Sequence, residues 1–199
     1  MPEEINQQAM QQLFLDARSY NSWQKKSVSE EQIRKLYDLT KMGPTSANAC
    51  PARFVFITSD QAKAKLKDCL DEGNIEKSMT APAVAIIGMD MEFYEQLPKL
   101  FPHGDARSWY AGKDDKIFDA AFRNSSLQGA YLIMAIRSLG LDAGPMSGFN
   151  NDKLDAAFFS GPTNTTVKSN FICAFGYGDD NNLYPRGPRL EFEEAASIE

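Results

Sequence analysis

The chain has 199 residues, 43% of them hydrophobic, which is enough for one domain with a sizeable core. Its formal net charge is -6, and its 21 basic residues form no long run, so a nucleic acid or an anionic membrane is excluded as a natural partner. No charged start precedes an apolar core and cleavage site, and no apolar stretch reaches bilayer length. Cys50, Cys69 and Cys173 are odd in number and widely spaced, which suits reduced thiols in a cytoplasmic protein better than a disulfide framework or a zinc site.

Met10, Leu13, Phe14 and Ala17 recur at helical spacing and predict a first helix over 7–18. Ser29 followed by Gln32 has the form of a capping box, opening a second helix that stops at Gly43-Pro44. A strand is predicted over 53–58, a short helix over 61–70 and a buried strand over 83–89. Residues 91–115 carry aromatics, prolines and Gly104 in no regular period, and read as a folded excursion covering something. A long helix follows over 116–139, apolar on nearly all sides in its second half and therefore central, with Gly140 as its stop. After a strand-to-loop passage over 141–149, Asn151 or Asp152 caps a helix reaching Phe159, and 170–175 is a strand. The last 24 residues have little periodicity and form an extended tail that must lie on something.

The richest segment is Gly43 to Phe56, where hydroxyls and small residues run directly into an apolar strand. Pro44 and Pro51 deny helical geometry at both ends, so Thr45, Ser46 and Asn48 present donors on a rigid turn suited to a flat, heteroatom-rich ligand. An ordinary helix-to-strand connection has the same composition.

Several chemistries can be set aside. One histidine, His103, cannot build a multi-histidine metal site, no Gly-x-Ser-x-Gly elbow is present, and neither glycine cluster (144–148, 176–179) has dinucleotide-fingerprint spacing. No metal ligand set is expected. Arg18, Ser19 and Asn21 after the first helix, with Arg186 and Arg189 in the tail, would suit a phosphate, or could be solvated surface residues. Asn74 and Lys77 are either a helix-start pair or an amide and a cation gripping the carbonyl and imide edge of a ring.

Taken in order, Arg18-Ser19, the Pro44 to Asn48 loop before Pro51-Ala52-Arg53-Phe54, Asn74 with Lys77, and the Gly144 to Phe149 turn resemble the FMN-dependent nitroreductase-like family along almost the whole chain. The resemblance implies an α+β fold with a mostly antiparallel central sheet wrapped by helices. It also implies one domain over 1–199 and a homodimer with FMN at the interface, residues 175–199 crossing to the partner as an extended tail. Arg18, Ser19, Arg189 and nearby Arg186 would hold the FMN phosphate, with Asn21 beside them. Asn74 and Lys77 would contact the pyrimidine end, Lys77 tuning the reduced ring. Pro44, Thr45, Ser46 and Asn48 would line the ribityl chain and ring, and Pro145, Met146, Ser147 and Gly148 would approach from the opposite subunit or face. Ala17 and Asn21 stand where many members carry basic residues, and Ala52 where Trp is common.

Within the family, the runs 43–53, 101–109, 122–131 and 144–148 resemble the malonic semialdehyde reductases of uracil degradation. That likeness implies ping-pong transfer of hydride from NAD(P)H through flavin N5 to a small-molecule substrate, with no catalytic side chain, yielding 3-hydroxypropionate. Arg107 or Arg123 is the expected partner of the substrate carboxylate, or else half of an internal ion pair, and Phe101 and Trp109 would line an apolar pocket. A broader nitroaromatic, quinone or enal reductase, and a flavin-binding protein without turnover, are the alternatives.

Overall fold

The structure is a computed structural model that describes residues 3–161 and 165–199. Four strands, β1 (Ala52–Ile57), β2 (Ala83–Asp90), β3 (Asp142–Met146) and β4 (Val167–Gly176), form one sheet in the order β1-β2-β4-β3, each pairing antiparallel. The expected fold class is therefore observed. β2 is buried along its whole length because it is central, and its side chains alternate between two cores.

On one face Ala83, Ala85 and Ile87 meet Leu132, Ala135 and Ile136 of α6 (Asp114–Ser138), together with Leu36 of α2 (Glu30–Thr40). On the other, Val84 and Ile86 meet Leu66 of α3 (Asp60–Lys67) and Leu154 of α7 (Asn151–Phe158). Small residues let α6 lie close: a Cβ on Gly129 would stand 2.3 Å from the Phe171 ring. A third core joins Ala49, Met89, Phe93, Leu97, Ala106, Ile117 and Ala121. The 91–115 excursion, built from 3-10 turns and the single turn α5 (Leu97–Leu100), thus covers the end of β2 and the base of the 43–50 loop.

The capping box is present: Gln32 N–H donates to Ser29 Oγ and the Ser29 N–H to Gln32 Oε1. Some boundaries move. The first helix, α1 (Gln7–Met10), closes as a π-helical turn through Leu15 rather than reaching residue 18, with Asp16 N–H donating to Gln11 O. α7 is capped by Asn150, not by Asn151 or Asp152, because the Asn150 side chain accepts from Lys153 N–H. A helix α4 (Glu72–Thr80) holds Asn74 and Lys77, and β4 starts at Val167, before the expected 170. The tail makes a 3-10 turn (Asp180–Asn182) and ends near the single turn α8 (Phe192–Ala195). Among the described residues no helix is long and apolar enough to cross a membrane.

Candidate functional site

The predicted residues fall into three localities. The first is built on the free edge of β3. Residues 18–23 run alongside it: Tyr20 N–H donates to Ala143 O at 3.1 Å, Ser19 forms a parallel bridge with Ala143, and Trp23 bridges Gly178. The approach needs Gly144, since a Cβ there would stand 2.3 Å from Tyr20 O. This registry brings Arg18 and Ser19 into a pocket of about 200 Å³ with Ala17, Arg137, Arg186, Gly187 and Arg189. Arg186 donates to the Leu15 and Ala17 carbonyls at 2.6 and 3.1 Å, and Arg18 to the Tyr184 carbonyl. Through residue 186 the tail therefore lies against its own chain. Four guanidiniums thus surround one small cavity in a net-acidic protein, a concentration of positive charge that favours an anion there.

Next to it, α4 and the turn after β3 form a ledge. Asn74 Nδ2 donates to Gly148 O at 2.7 Å, Asp71 N–H donates to the same carbonyl, and a Cβ on Gly148 would meet Asn74 Nδ2 at 2.4 Å. Trp23 Nε1 donates to Lys77 O at 2.9 Å, tying α4 to the strand that carries Arg18. Lys77 opens with Asn21, Ser22, Gly73 and Tyr184 into a cavity of about 690 Å³, and burial lowers its ammonium pKa. Pro145 and Ser147 are exposed, whereas Met146 is buried and accepts from Ser78 Oγ at 3.5 Å. Below the ledge, burial raises the Asp142 carboxyl pKa against the opposing effect of the Gly178 N–H that donates to it.

The second group is the 43–50 loop, held against the middle of α6. Ser46 N–H donates to buried Asn124 Oδ1 at 2.8 Å, Ala52 N–H to Gln128 Oε1 at 2.8 Å, and Tyr131 Oη to Pro44 O at 2.8 Å. Asn48 Nδ2 donates to Leu100 O at 2.9 Å, and Cys50 N–H to Thr45 Oγ1 at 3.1 Å. Ala47, Asn48 and Cys50 all have left-handed backbones, with φ of 50°, 52° and 42°. Such conformations cost roughly 1–3 kcal/mol each and persist only where neighbours over-determine them, which is what α5 and α6 do here. Pro44, Ser46 and Asn48 are exposed.

Asn124 and Arg137 lie thirteen residues apart on α6, roughly 20 Å of helix axis. Tyr131, which holds Pro44, is only six residues before Arg137, but Asn48 and Cys50 of the loop line a cavity that none of Arg18, Arg137, Arg186 and Arg189 lines. The aromatic excursion is a third locality. Phe101 packs against Trp109 at 5.8 Å between centroids and against His103 at 5.7 Å. Arg107 is held by Glu95 through two bonds of 2.8 and 2.6 Å, both side chains nearly half exposed. Arg123 is exposed beside Phe122 and Leu127, in a cavity of about 490 Å³.

Arg137 was not among the predicted residues. It is the basic residue in the last turn of α6, where a cation opposing the helix dipole attracts no notice. Only its 119-residue separation from Arg18 being closed by the fold reveals it as a pocket wall.

An antiparallel sheet between helical layers, with an arginine-lined pocket on the β3 edge, defines an α+β domain. The chain belongs to the nitroreductase family, whose model matches residues 14–177. A relative from Burkholderia lata, provisionally named an NADH dehydrogenase/NAD(P)H nitroreductase, is 60% identical over 195 residues, covering 98% of each chain. The fold is shared with a nitroreductase-type protein of Exiguobacterium sibiricum solved in complex with FMN (TM-score 0.84, 19% identity, all of both chains). It is shared too with an NAD(P)H:FMN oxidoreductase-type protein of Staphylococcus epidermidis (TM-score 0.83, 17% identity, 99% of this chain and 98% of that one).

Proposed function

We propose that this protein is an FMN-dependent NAD(P)H oxidoreductase working as a homodimer, and that malonic semialdehyde is the acceptor it reduces to 3-hydroxypropionate. The observation that carries the cofactor is the arginine pocket opening beside the Asn74–Lys77 ledge. A phosphate monoester suits that donor set: Arg18, Arg186 and Arg189 offer charged forks and Ser19 a hydroxyl, with a closely packed glycine turn at 148 alongside. When bound, FMN supplies two-electron hydride transfer between a nicotinamide and an oxidised acceptor.

The chain's own part is binding, orientation and electrostatics. Lys77 would place a cation where negative charge would grow, and its lowered pKa reflects the partial burial of its ammonium. Asn74 fixes the ledge by holding Gly148. The 43–50 loop and the four arginines line separate cavities of one subunit, which supports a dimer in which the loop of one subunit meets the pocket of the other. So do the exposed apolar side chains of stacked Phe118 and Phe122, of Leu127, of Tyr37 and Leu39 on α2, and of Met42 just after it. The tail beyond Arg189 would cross to the partner. For the acceptor, Arg123 supplies the carboxylate-binding cation beside an apolar wall, while Arg107 is already engaged by Glu95.

A second reading, broad reduction of nitroaromatics and quinones, is favoured by the name of the Burkholderia relative. The test is the purified protein's visible spectrum under anaerobic conditions. A flavin band should bleach with NADH or NADPH and return on adding malonic semialdehyde faster than on adding a nitrofuran. Return only with the nitrofuran selects the second reading, and a protein that takes up no FMN overturns both.

A further inference from the structure

The structure assigns Arg137 to the anion pocket as a phosphate-binding residue of this chain, reaching it from the core helix rather than from either terminus. This rests on the FMN reading above and adds a residue to it. Three observations carry the assignment. Arg137 lines the same cavity as Arg18, Ser19, Arg186 and Arg189. Its Nη1 donates to Leu13 O at 2.9 Å, but its buried Nε–H has no acceptor among the described residues. Among the described residues no carboxylate lies within ion-pair distance of it, although Asp142 is near enough to act on it through its field.

A half-buried guanidinium is fully charged at neutral pH, and leaving such a charge unpaired is costly. The fold accepts that cost at the one place where three other arginines already gather, so repulsion among them adds to it. A bound dianion reverses both penalties together. The competing role is structural: Arg137 closes α6, with its carbonyl accepting from Gln12 Nε2 at 2.7 Å, and ties down the π-helical turn. The two roles make different predictions for a ligand with and without its phosphate.

The full-length protein, stripped of flavin, is titrated with FMN and with riboflavin by flavin-fluorescence quenching, as wild type, Arg137→Met and the double variant Arg137→Met/Ala17→Arg. Thermal melts establish that each variant is folded. Loss of one charge-assisted contact should weaken FMN binding about ten- to a hundred-fold in Arg137→Met while leaving riboflavin within about two-fold. An arginine at position 17, which lines the same cavity, should recover part of the FMN affinity. Equal FMN affinity in wild type and variant overturns the assignment but leaves the FMN reading standing. Equal loss for FMN and riboflavin assigns Arg137 the structural role and also overturns it. A wild type that binds no FMN overturns the reading beneath it. If Arg137→Met does not fold, Arg137→Gln, whose amide can still donate to Leu13 O, is read by the same criterion.

Discussion

Gly144→Ala concentrates the structural argument in one methyl group. The added Cβ would stand 2.3 Å from the Tyr20 backbone oxygen and 3.5 Å from Trp23 Cζ2. A relaxed carbon–oxygen contact needs about 3.3 Å, so β3 and the 18–23 segment must part by about 1 Å. The neighbouring Tyr20 N–H to Ala143 O bond, already 3.1 Å, cannot stretch that far and survive. Overpacking contributes roughly 1–3 kcal/mol and the lost bond about 1 kcal/mol more. For a chain of this size that sum lowers Tm by roughly 5–15 °C. Because Arg18 and Ser19 sit on the displaced segment, FMN affinity should fall about ten-fold or more, and riboflavin affinity much less. Circular-dichroism melts and flavin titrations of the same preparation measure both effects. Gly73→Ala is the control: its Cβ meets nothing within 4 Å and it lies inside α4, so a gain of about 0.5–1 kcal/mol is expected. A Gly144→Ala protein that melts with wild type and binds FMN equally would refute the close-approach reasoning.

Other expectations follow from the same structure. Asn124→Ala removes the acceptor for Ser46 N–H and should cost about 1–3 kcal/mol, with faster amide exchange confined to the 43–50 loop; exchange unchanged there would count against α6 as the loop's support. Burial pushes the Cys173 thiol up to about 12 and also raises Cys69, whereas Cys50 is partly exposed. A brief alkylation of folded protein should therefore mark Cys50 alone, and all three in denaturant, as read by peptide mass. Asp142 has a folded pKa raised above 3.8 by burial, so its contribution to stability is fully present below that value and is lost as pH rises through the folded pKa. Asp142→Asn, whose amide oxygen can still accept from Gly178 N–H, should be more stable than wild type at pH 7 and lose that advantage below pH 3.8. The group is half solvated, which keeps the gain below about 1 kcal/mol. An advantage that persists unchanged at pH 3 would show that the carboxylate is not its source.

Much of this fold is legible in the sequence, for reasons particular residues make plain. Ser29 and Gln32 announce α2, the unbroken Ala-Val-Ala-Ile-Ile of β2 announces a strand buried on both faces, and Gly140, at φ 71°, ends α6 where its conformational freedom is needed. Of α4 only a helix-start reading at Asn74 and Lys77 is legible, because Gly73, Asn74, Ser78 and Thr80 are poor helix formers and burial of Ser78 against Met146 overrides their propensity. The start of β4 hides because Lys168 and Ser169 interrupt the apolar run. At the site, arginines near the termini and the 43–50 loop stand out by composition alone. Arg137 does not, since nothing local distinguishes a pocket wall from an ordinary cation at a helix end.

The 25-residue α6 has a consequence beyond packing. It carries the anchor of the strained loop near its middle and the arginine of the anion pocket at its end, so in the proposed dimer each copy is a beam spanning two pockets at once. Tilting it would move the ring wall of one pocket and the phosphate socket of the other in a single stroke. Gly129, where a Cβ would stand 2.3 Å from the Phe171 ring, lies between those two points. A bulkier residue there should therefore disturb the loop and the arginine pocket together.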